Sequence, residues 1–422
     1  MKKNITKRFL AFTLPVILMT GMLAGCQSKQ DKTEEALNPE DEMGGAVALT
    51  VWCASEDEEL MNQMIGSFKT EYASEAEFNI NIEAIGEADC KNELFKDMEN
   101  GADVFTFADD QLRILVAAGA LSPVMNADTV KSANIEGASE TATINDKMYA
   151  YPMTADNGYF LYYNKAYFSE ADVQSLNTML DVAAASGKKV VMDWSAGWYL
   201  YSFFGETGME MGLNDDGVSN HCNWNATDTE IRGVDVANAM LSIANNPGFL
   251  NATDASFVSG IQDGSVIAGV FGVWDANVVE EAWGENYGAT KLPTYQCAGK
   301  DVQMASFTGY KMIGVNAYSE NEEWAHKLAE WITNEENQTL RFTMRGQGPS
   351  NIKAAASPEI MESPAIQAIL AQSEYAVPQR IGANYWAPAQ RFGEQMATGV
   401  TPSDLQQYMD SLVEEITLSY SN

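Results

Sequence analysis

From Val47 onward the chain alternates short apolar runs with stretches in which apolar residues return every three or four positions. VALTVWCA (residues 47–54) and ADVFTFA (102–108) read as strands, and FNINIEAI (78–85) alternates with the period of two that a half-buried strand needs. Between the first two, Leu60, Met64, Ile65 and Phe68 form one stripe of a helix over about 57–72, and KNELFKDMENG (91–101) predicts a second helix. Strand, helix, strand, helix, strand implies a parallel sheet with helices on its faces. Ligands of such sheets bind at the carboxyl ends of the strands, where Trp52, Glu56, Asp57, Phe107, Asp109 and Asp110 fall.

The middle of the chain repeats this logic with more aromatic residues. GYFLYYNKAYF (158–168), KKVVMDW (188–194), ENYGATKLPTY (285–295) and GYKMIGVNAYS (309–319) supply further strands, and GWYLYSFFGETG (197–208) starts a helix. SVIAGVFGVW (265–274) is an apolar, β-branched run, read as a buried strand that ends at Trp274 with Asp275 and Asn277 directly after it. A tryptophan at such an exit is either core or a plate facing a ligand. Residues 321–345 form an amphipathic helix pair, and 402–419 a last helix with Pro402 in its first turn and Thr401 or Ser403 as cap. No short repeat runs through the sequence, which excludes a solenoid.

The first segment is of another kind. Lys2, Lys3, Lys7 and Arg8 precede an apolar stretch over 9–23 that ends in LAGC, the arrangement of a signal peptide, and the stretch is shorter than the ~20 residues of a membrane span. LAGC resembles the bacterial lipobox, which makes residues 1–25 a lipoprotein signal peptide and Cys26 the lipid-bearing (palmitate-type) first residue of the mature chain. Residues 26–46 are polar and acidic, unable to support a core, and read as a tether.

The leader takes four basic residues with it, leaving 21 of the chain's 25 Lys and Arg against all 59 Asp and Glu. So negative a surface repels phosphate backbones and excludes a nucleic-acid partner; a neutral ligand is expected. A chain of 422 residues exceeds the size of one hydrophobic core, so two lobes are expected.

Enzyme readings make sharper demands, and the sequence does not meet them. It has no phosphate-binding Gly-rich loop ending in Gly-Lys-Ser/Thr, no paired-histidine zinc motif and no Gly-x-Ser-x-Gly elbow, so no catalytic residue, metal or cofactor is assigned. Of the two histidines, His326 lies mid-helix and reads as structural, and His221 sits beside Cys222 in a polar loop. NDDG (214–217) lacks the later glutamate of a calcium loop and reads as a turn. Cys53, Cys90, Cys222 and Cys297 match no zinc spacing; Cys53 and Cys90, at the ends of the first two strands, are candidates for a disulfide or for buried thiols.

The aromatic residues point to binding. Phe107, Trp198, Tyr199, Trp274, Tyr385 and Trp386 each follow a predicted strand or stand near a helix start, with an Asp, Asn, Glu or Gln close by. A sugar presents an apolar face of C–H groups and a rim of hydroxyls, and is held by flat plates with hydrogen-bonding carboxylates and amides. Any one of these residues taken alone is equally well an ordinary core residue.

In this order, LTVWCASEDEEL, ADVFTFADDQLRILVAAGALSPV, YAYPMTADNGYFLYYNKAYF, GVFGVWDANV, YGATKLPTY and ANYWAPAQRFGEQMATG resemble the solute-binding proteins of bacterial ABC importers, most closely the maltose and maltodextrin-binding proteins. The resemblance implies an α/β fold of two lobes, periplasmic-binding-protein-like (type II), closing on a cleft by a hinge. The first lobe takes 47–155 and 312–357, the second 156–311 and 358–422. It further implies that Phe107 and Asp110 line the cleft, with Gln111 where the family has an arginine. Asp156 on the hinge strand, an aromatic plate from Trp198 or Tyr199, the tryptophan plates Trp274 and Trp386, and Asp57 after the first strand complete the implied set. The expected function is a monomeric, lipid-anchored receptor on the outer face of the cytoplasmic membrane that delivers maltooligosaccharides to ABC permease subunits, a long tether suiting a cell without an outer membrane. Xylo-, manno- or galacto-oligosaccharide binding, a surface glycosidase and an adhesive lipoprotein are the alternatives.

Overall fold

The computed structural model describes residues 46–418, so the leader, Cys26 and the tether lie outside the described residues. Twelve strands carry the site: β1 (Val47–Cys53), β2 (Phe78–Ala84), β3 (Val104–Ala108), β4 (Tyr151–Thr154), β5 (Phe160–Asn164), β6 (Lys189–Met192), β7 (Phe249–Asn251), β8 (Val266–Phe271), β9 (Tyr287–Thr290), β10 (Ser306–Thr308), β11 (Lys311–Val315) and β12 (Ala376–Pro378). They build two five-stranded sheets, in the orders β2-β1-β3-β11-β4 and β7-β6-β8-β5-β9, while β10 pairs with β12. In the first, β1 runs parallel to β2, in register from Val47↔Phe78 to Cys53↔Ala84, and parallel to β3; β11 returns antiparallel between β3 and β4. The second repeats the plan, with β6 parallel to β7 and β8, and β5 antiparallel to β8 and β9.

Each sheet has its own hydrophobic core, which makes the molecule two-lobed α/β. One core runs from Val47 to Met153 and from Met312 to Ile332, the other from Tyr159 to Phe307 and from Ile360 to Ile416. The sequence pattern explains the layers. All six residues of β8 are buried, as a central strand covered on both faces requires. The helix Glu58–Glu71 buries Leu60, Met61, Met64, Ile65 and Phe68, the stripe seen in the sequence.

Three local expectations are corrected. The helix after β2 spans only Cys90–Leu94, because the polar DMENG segment beyond Phe95 offers just Met98 to the core. GWYLYSFFGETG forms two short turns, a 3-10 turn at Trp198–Leu200 and a helix at Tyr201–Phe204, ended by packing rather than by periodicity. The last helix starts at Leu405 and is capped by Asp404, whose carboxylate accepts from the Gln407 amide, so Pro402 stands before it.

The four described cysteines are free thiols, with Cys53 and Cys90 fully buried and burial pushing the Cys53 thiol up to about 12. His326 is buried. Its Nδ1 meets the Tyr151 hydroxyl at 2.9 Å and its Nε2 the Ser122 hydroxyl at 3.0 Å, which gives both ring nitrogens partners.

Candidate functional site

Between the sheets the chain crosses from β4 to β5 and from β10 to β11, and groups from both lobes meet along these crossings. The Asn157 amide donates to the Gly309 carbonyl at 3.2 Å and the Ala155 amide to the Gly348 carbonyl at 2.9 Å, tying one crossing to its neighbours. Asp109, directly after β3, accepts from the Tyr310 amide at 3.3 Å.

Trp274 follows β8 in a short 3-10 turn (Val273–Asp275) and folds back over Gly272, where any side chain would overlap its six-membered ring. Its indole nitrogen donates to Asp254 Oδ2 at 2.8 Å. Trp198 lies stacked against it, centroids 5.9 Å apart and planes 29° from parallel, and donates its indole N–H to Gln379 Oε1 at 2.7 Å. Gly197, at φ +76°, sets Trp198 in place: a Cβ added there would lie 3.3 Å from Ala389 Cβ and from the Gln390 nitrogen, strained and crowded. Both tryptophans are half-buried.

The first lobe faces this pair with charge. Lys311, which opens β11, places Nζ 5.2 Å from the Trp274 ring centroid and 3.4 Å from Glu87 Oε1. Asp110 stands near the Gln379 side chain, which lowers its pKa, and Gln379 leads back to Trp198, so Asp110, Gln379, Trp198, Trp274, Lys311 and Glu87 form a chain of neighbours crossing the gap twice. Burial pushes Asp110 up to about 6 and, with Asp110 beside it, Asp109 up to about 7. Burial and the neighbouring Asp254 raise Asp275, next to Trp274, to about 9. Among the described residues, Glu87 Oε1, Asp110 Oδ1, Asp275 Oδ2 and Arg341 Nε and Nη2 are buried without a hydrogen-bond partner. Buried polar atoms are nearly always paired, so these groups are candidates for contact with a bound polar molecule.

The nine residues expected at a site divide into three groups. Trp274, Trp198 and Asp110 are brought together as just described. Trp386 is half-buried at the start of the helix Trp386–Ala397, its ring 5.3 Å from that of Tyr385, and the structure gives it no contact with Trp274.

The other five are buried behind the surface. Phe107 and Tyr385 are fully buried; the Tyr385 hydroxyl donates to the Gly197 carbonyl at 2.8 Å, so it props the turn that carries Trp198. Tyr199 is buried against Tyr159 and Phe271, whereas Trp198 is half-buried. Asp57 is buried with both oxygens taken, by Arg341 and by Arg345 Nε at 2.8 Å; these cations hold its carboxyl below the usual range against the effect of burial. Asp156 is buried and accepts from the Gly348 amide. Gln111 does not take over the missing arginine's place, as its amide donates to the Glu87 carbonyl at 2.7 Å.

Sequence reading missed Lys311, Gln379, Glu87 and Arg341. Lys311 opens a strand already identified, and a lysine there departs from the apolar pattern; Gln379 carried no signal at all.

The comparisons with known proteins agree on a solute-binding protein and differ in the saccharide named. A family model described as bacterial extracellular solute-binding protein matches residues 63–368. A galactooligosaccharide-binding protein of Bacillus subtilis is 27% identical over 418 residues, which covers 93% of this chain and 92% of that protein. A maltooligosaccharide ABC transporter solute-binding lipoprotein of Streptococcus pneumoniae is 25% identical over 389 residues, covering 86% and 85% respectively. A solved structure described as being with acarbose is 30% identical, superimposes with a TM-score of 0.77, and covers 88% of this chain and 99% of its own.

Proposed function

We propose, from the premise that this chain belongs to the bacterial extracellular solute-binding protein family, that it captures maltooligosaccharides in the cleft at Trp198 and Trp274 and delivers them to an ABC importer. The observation that carries the reading is the stacked tryptophan pair, with the unpartnered carboxylate oxygens of Asp275 after Trp274 and of Asp110 and Glu87 on the other lobe. Indoles supply flat apolar surface for the C–H face of a sugar, and Asp110, Gln379 and Lys311 are within reach of its hydroxyl rim. The relatives named for maltooligosaccharide and the structure with acarbose support an α-glucan.

The relative named for galactooligosaccharides, matched over more of the chain than the maltooligosaccharide one, favours a second reading: a galacto-oligosaccharide in the same cleft. A thermal-shift panel of maltotriose, maltotetraose, galactotetraose, xylotetraose and mannotetraose decides. A melting rise largest for the malto-series supports the first reading, one for galactotetraose the second, and no rise for any of them overturns both.

On this reading the two lobes close as rigid bodies about the crossings, since only the closed state lets a ligand touch both walls. The chain binds without converting its ligand, in line with relatives named as binding proteins. Cys26 anchors it by lipid to the outer face of the cytoplasmic membrane, as the relative named a lipoprotein supports, and the monomer presents the closed shape to the permease.

A further inference from the structure

Lys311 is an ammonium at the cleft whose burial is not matched by hydrogen bonding. Its side chain is 14% exposed, and its ion-pair partner, Glu87 Oε1 at 3.4 Å, is itself without a hydrogen bond. Other carboxylates near it are engaged: Asp57 with Arg341 and Arg345, Asp156 with the Gly348 amide. The ammonium therefore has donors to spare, and it stands 5.2 Å from the centroid of the Trp274 ring, reaching from β11 of one lobe to the exit of β8 in the other.

Resting on the saccharide site proposed above, we infer that Lys311 is a specificity-determining residue that donates to a hydroxyl of the sugar unit seated at Trp274, in a site selective for uncharged saccharides. A group that close to a plate is within hydrogen-bond reach of the rim of a ring lying on it. Burial works to discharge the lysine, but Glu87, Asp57 and Asp156 hold its ionisation above the ordinary value, so it remains a cation. Each cation at this wall already has an acid beside it: Lys311 has Glu87, and Arg341 and Arg345 share Asp57. A uronate or an amino sugar would bring a buried charge without a counter-charge, which is costly, while a hydroxyl satisfies the ammonium and adds none. A site built to bond a hydroxyl also rejects an analogue that lacks it, because the ammonium is then left desolvated and unpaired.

The test titrates the mature protein by calorimetry with maltotetraose and galactotetraose, with deoxy analogues of each that replace single hydroxyls, and with a counterpart oxidised to a terminal uronate. Lys311→Met should bind the preferred tetrasaccharide roughly ten- to a hundredfold more weakly than the parent, the loss of a hydrogen bond to a charged group. For one deoxy analogue the parent and Lys311→Met should bind alike. The double variant Lys311→Met with Glu87→Gln, which leaves no unpaired charge, should show the same pattern and covers a single variant that does not fold. Unchanged affinity, an equal loss against every deoxy analogue, or a parent that prefers the uronate overturns the inference. If Trp274→Ala loses the ligand while Lys311→Met keeps it, Lys311 is dismissed and the sugar cleft stands. A parent that binds no saccharide removes both.

Discussion

At the scale of single residues, burial separates plates from props. Trp198 and Trp274 are half-buried with their indole N–H groups bonded, so truncation removes a stacking surface without opening the core. Each alanine variant should lose about 1–3 kcal/mol of ligand binding, as a buried aromatic anchor does, while melting without ligand near the parent. Phe107→Ala should show the reverse, a loss of about 3–5 kcal/mol of stability in the pattern of fully buried aromatics. Scanning calorimetry with and without maltotetraose distinguishes the two; a parent-like ligand response from both tryptophan variants would remove them from the site. Asp275 allows a pH prediction. Its folded-state pKa, about 9, lies above the ordinary carboxylate value, so the folded form holds a proton that the unfolded chain has released. That contribution is complete below about pH 4 and is lost as pH rises toward 9. Asp57 has the opposite sign, its stabilisation present above the ordinary carboxylate value and lost on acidification below it. Melting of the parent should therefore decline between mildly acidic and alkaline pH, and Asp275→Asn should flatten that decline; an unchanged slope refutes the assignment.

At the scale of elements, two glycines place the plates. Gly272 leaves room for the indole of Trp274 to fold back on its own strand exit, and Gly197 turns the chain at positive φ against the helix Trp386–Ala397. Gly272→Ala should leave the strand formed but push the indole off its seat, so ligand affinity measured by titration falls more than stability measured by melting. A variant that melts far below the parent and binds normally would show that Gly272 serves the core instead. The elements themselves were legible where periodicity was strong, as in the helix Glu58–Glu71 and the all-buried β8. Capping and packing decided the ends: Asp404 starts the last helix, and the lack of apolar partners stops the second at Leu94.

At the scale of the whole molecule, two sheets with separate cores joined by short crossings predict motion between lobes. Small-angle scattering should give a smaller radius of gyration with saturating maltotetraose than without, because closure brings both walls onto the ligand. An identical radius in both states would argue for a preformed rigid site. The leader makes a separate prediction at this scale: Cys26→Ala should release the protein from membranes or leave it unprocessed, and a variant that stays membrane-bound and normally processed would refute lipid anchoring.

The linear order of apolar periods determined the α/β class, and six segments in sequence pointed to the two-lobed family, because strand and helix periodicity and motif order are properties of the chain itself. The aromatic residues were visible too, but not their roles. Whether Tyr385 or Trp386, Tyr199 or Trp198 shows a face to the cleft depends on which side of a turn packs on which lobe, and neighbours in sequence take opposite fates there. Lys311 and Asp110 come to one wall only because β11 pairs with β3, Gln379 is placed by the pairing of β12 with β10, and the buried charge of Asp57 is cancelled by arginines some 284 and 288 positions away. Contacts of that range are set by the packing of two sheets, and no local pattern encodes them.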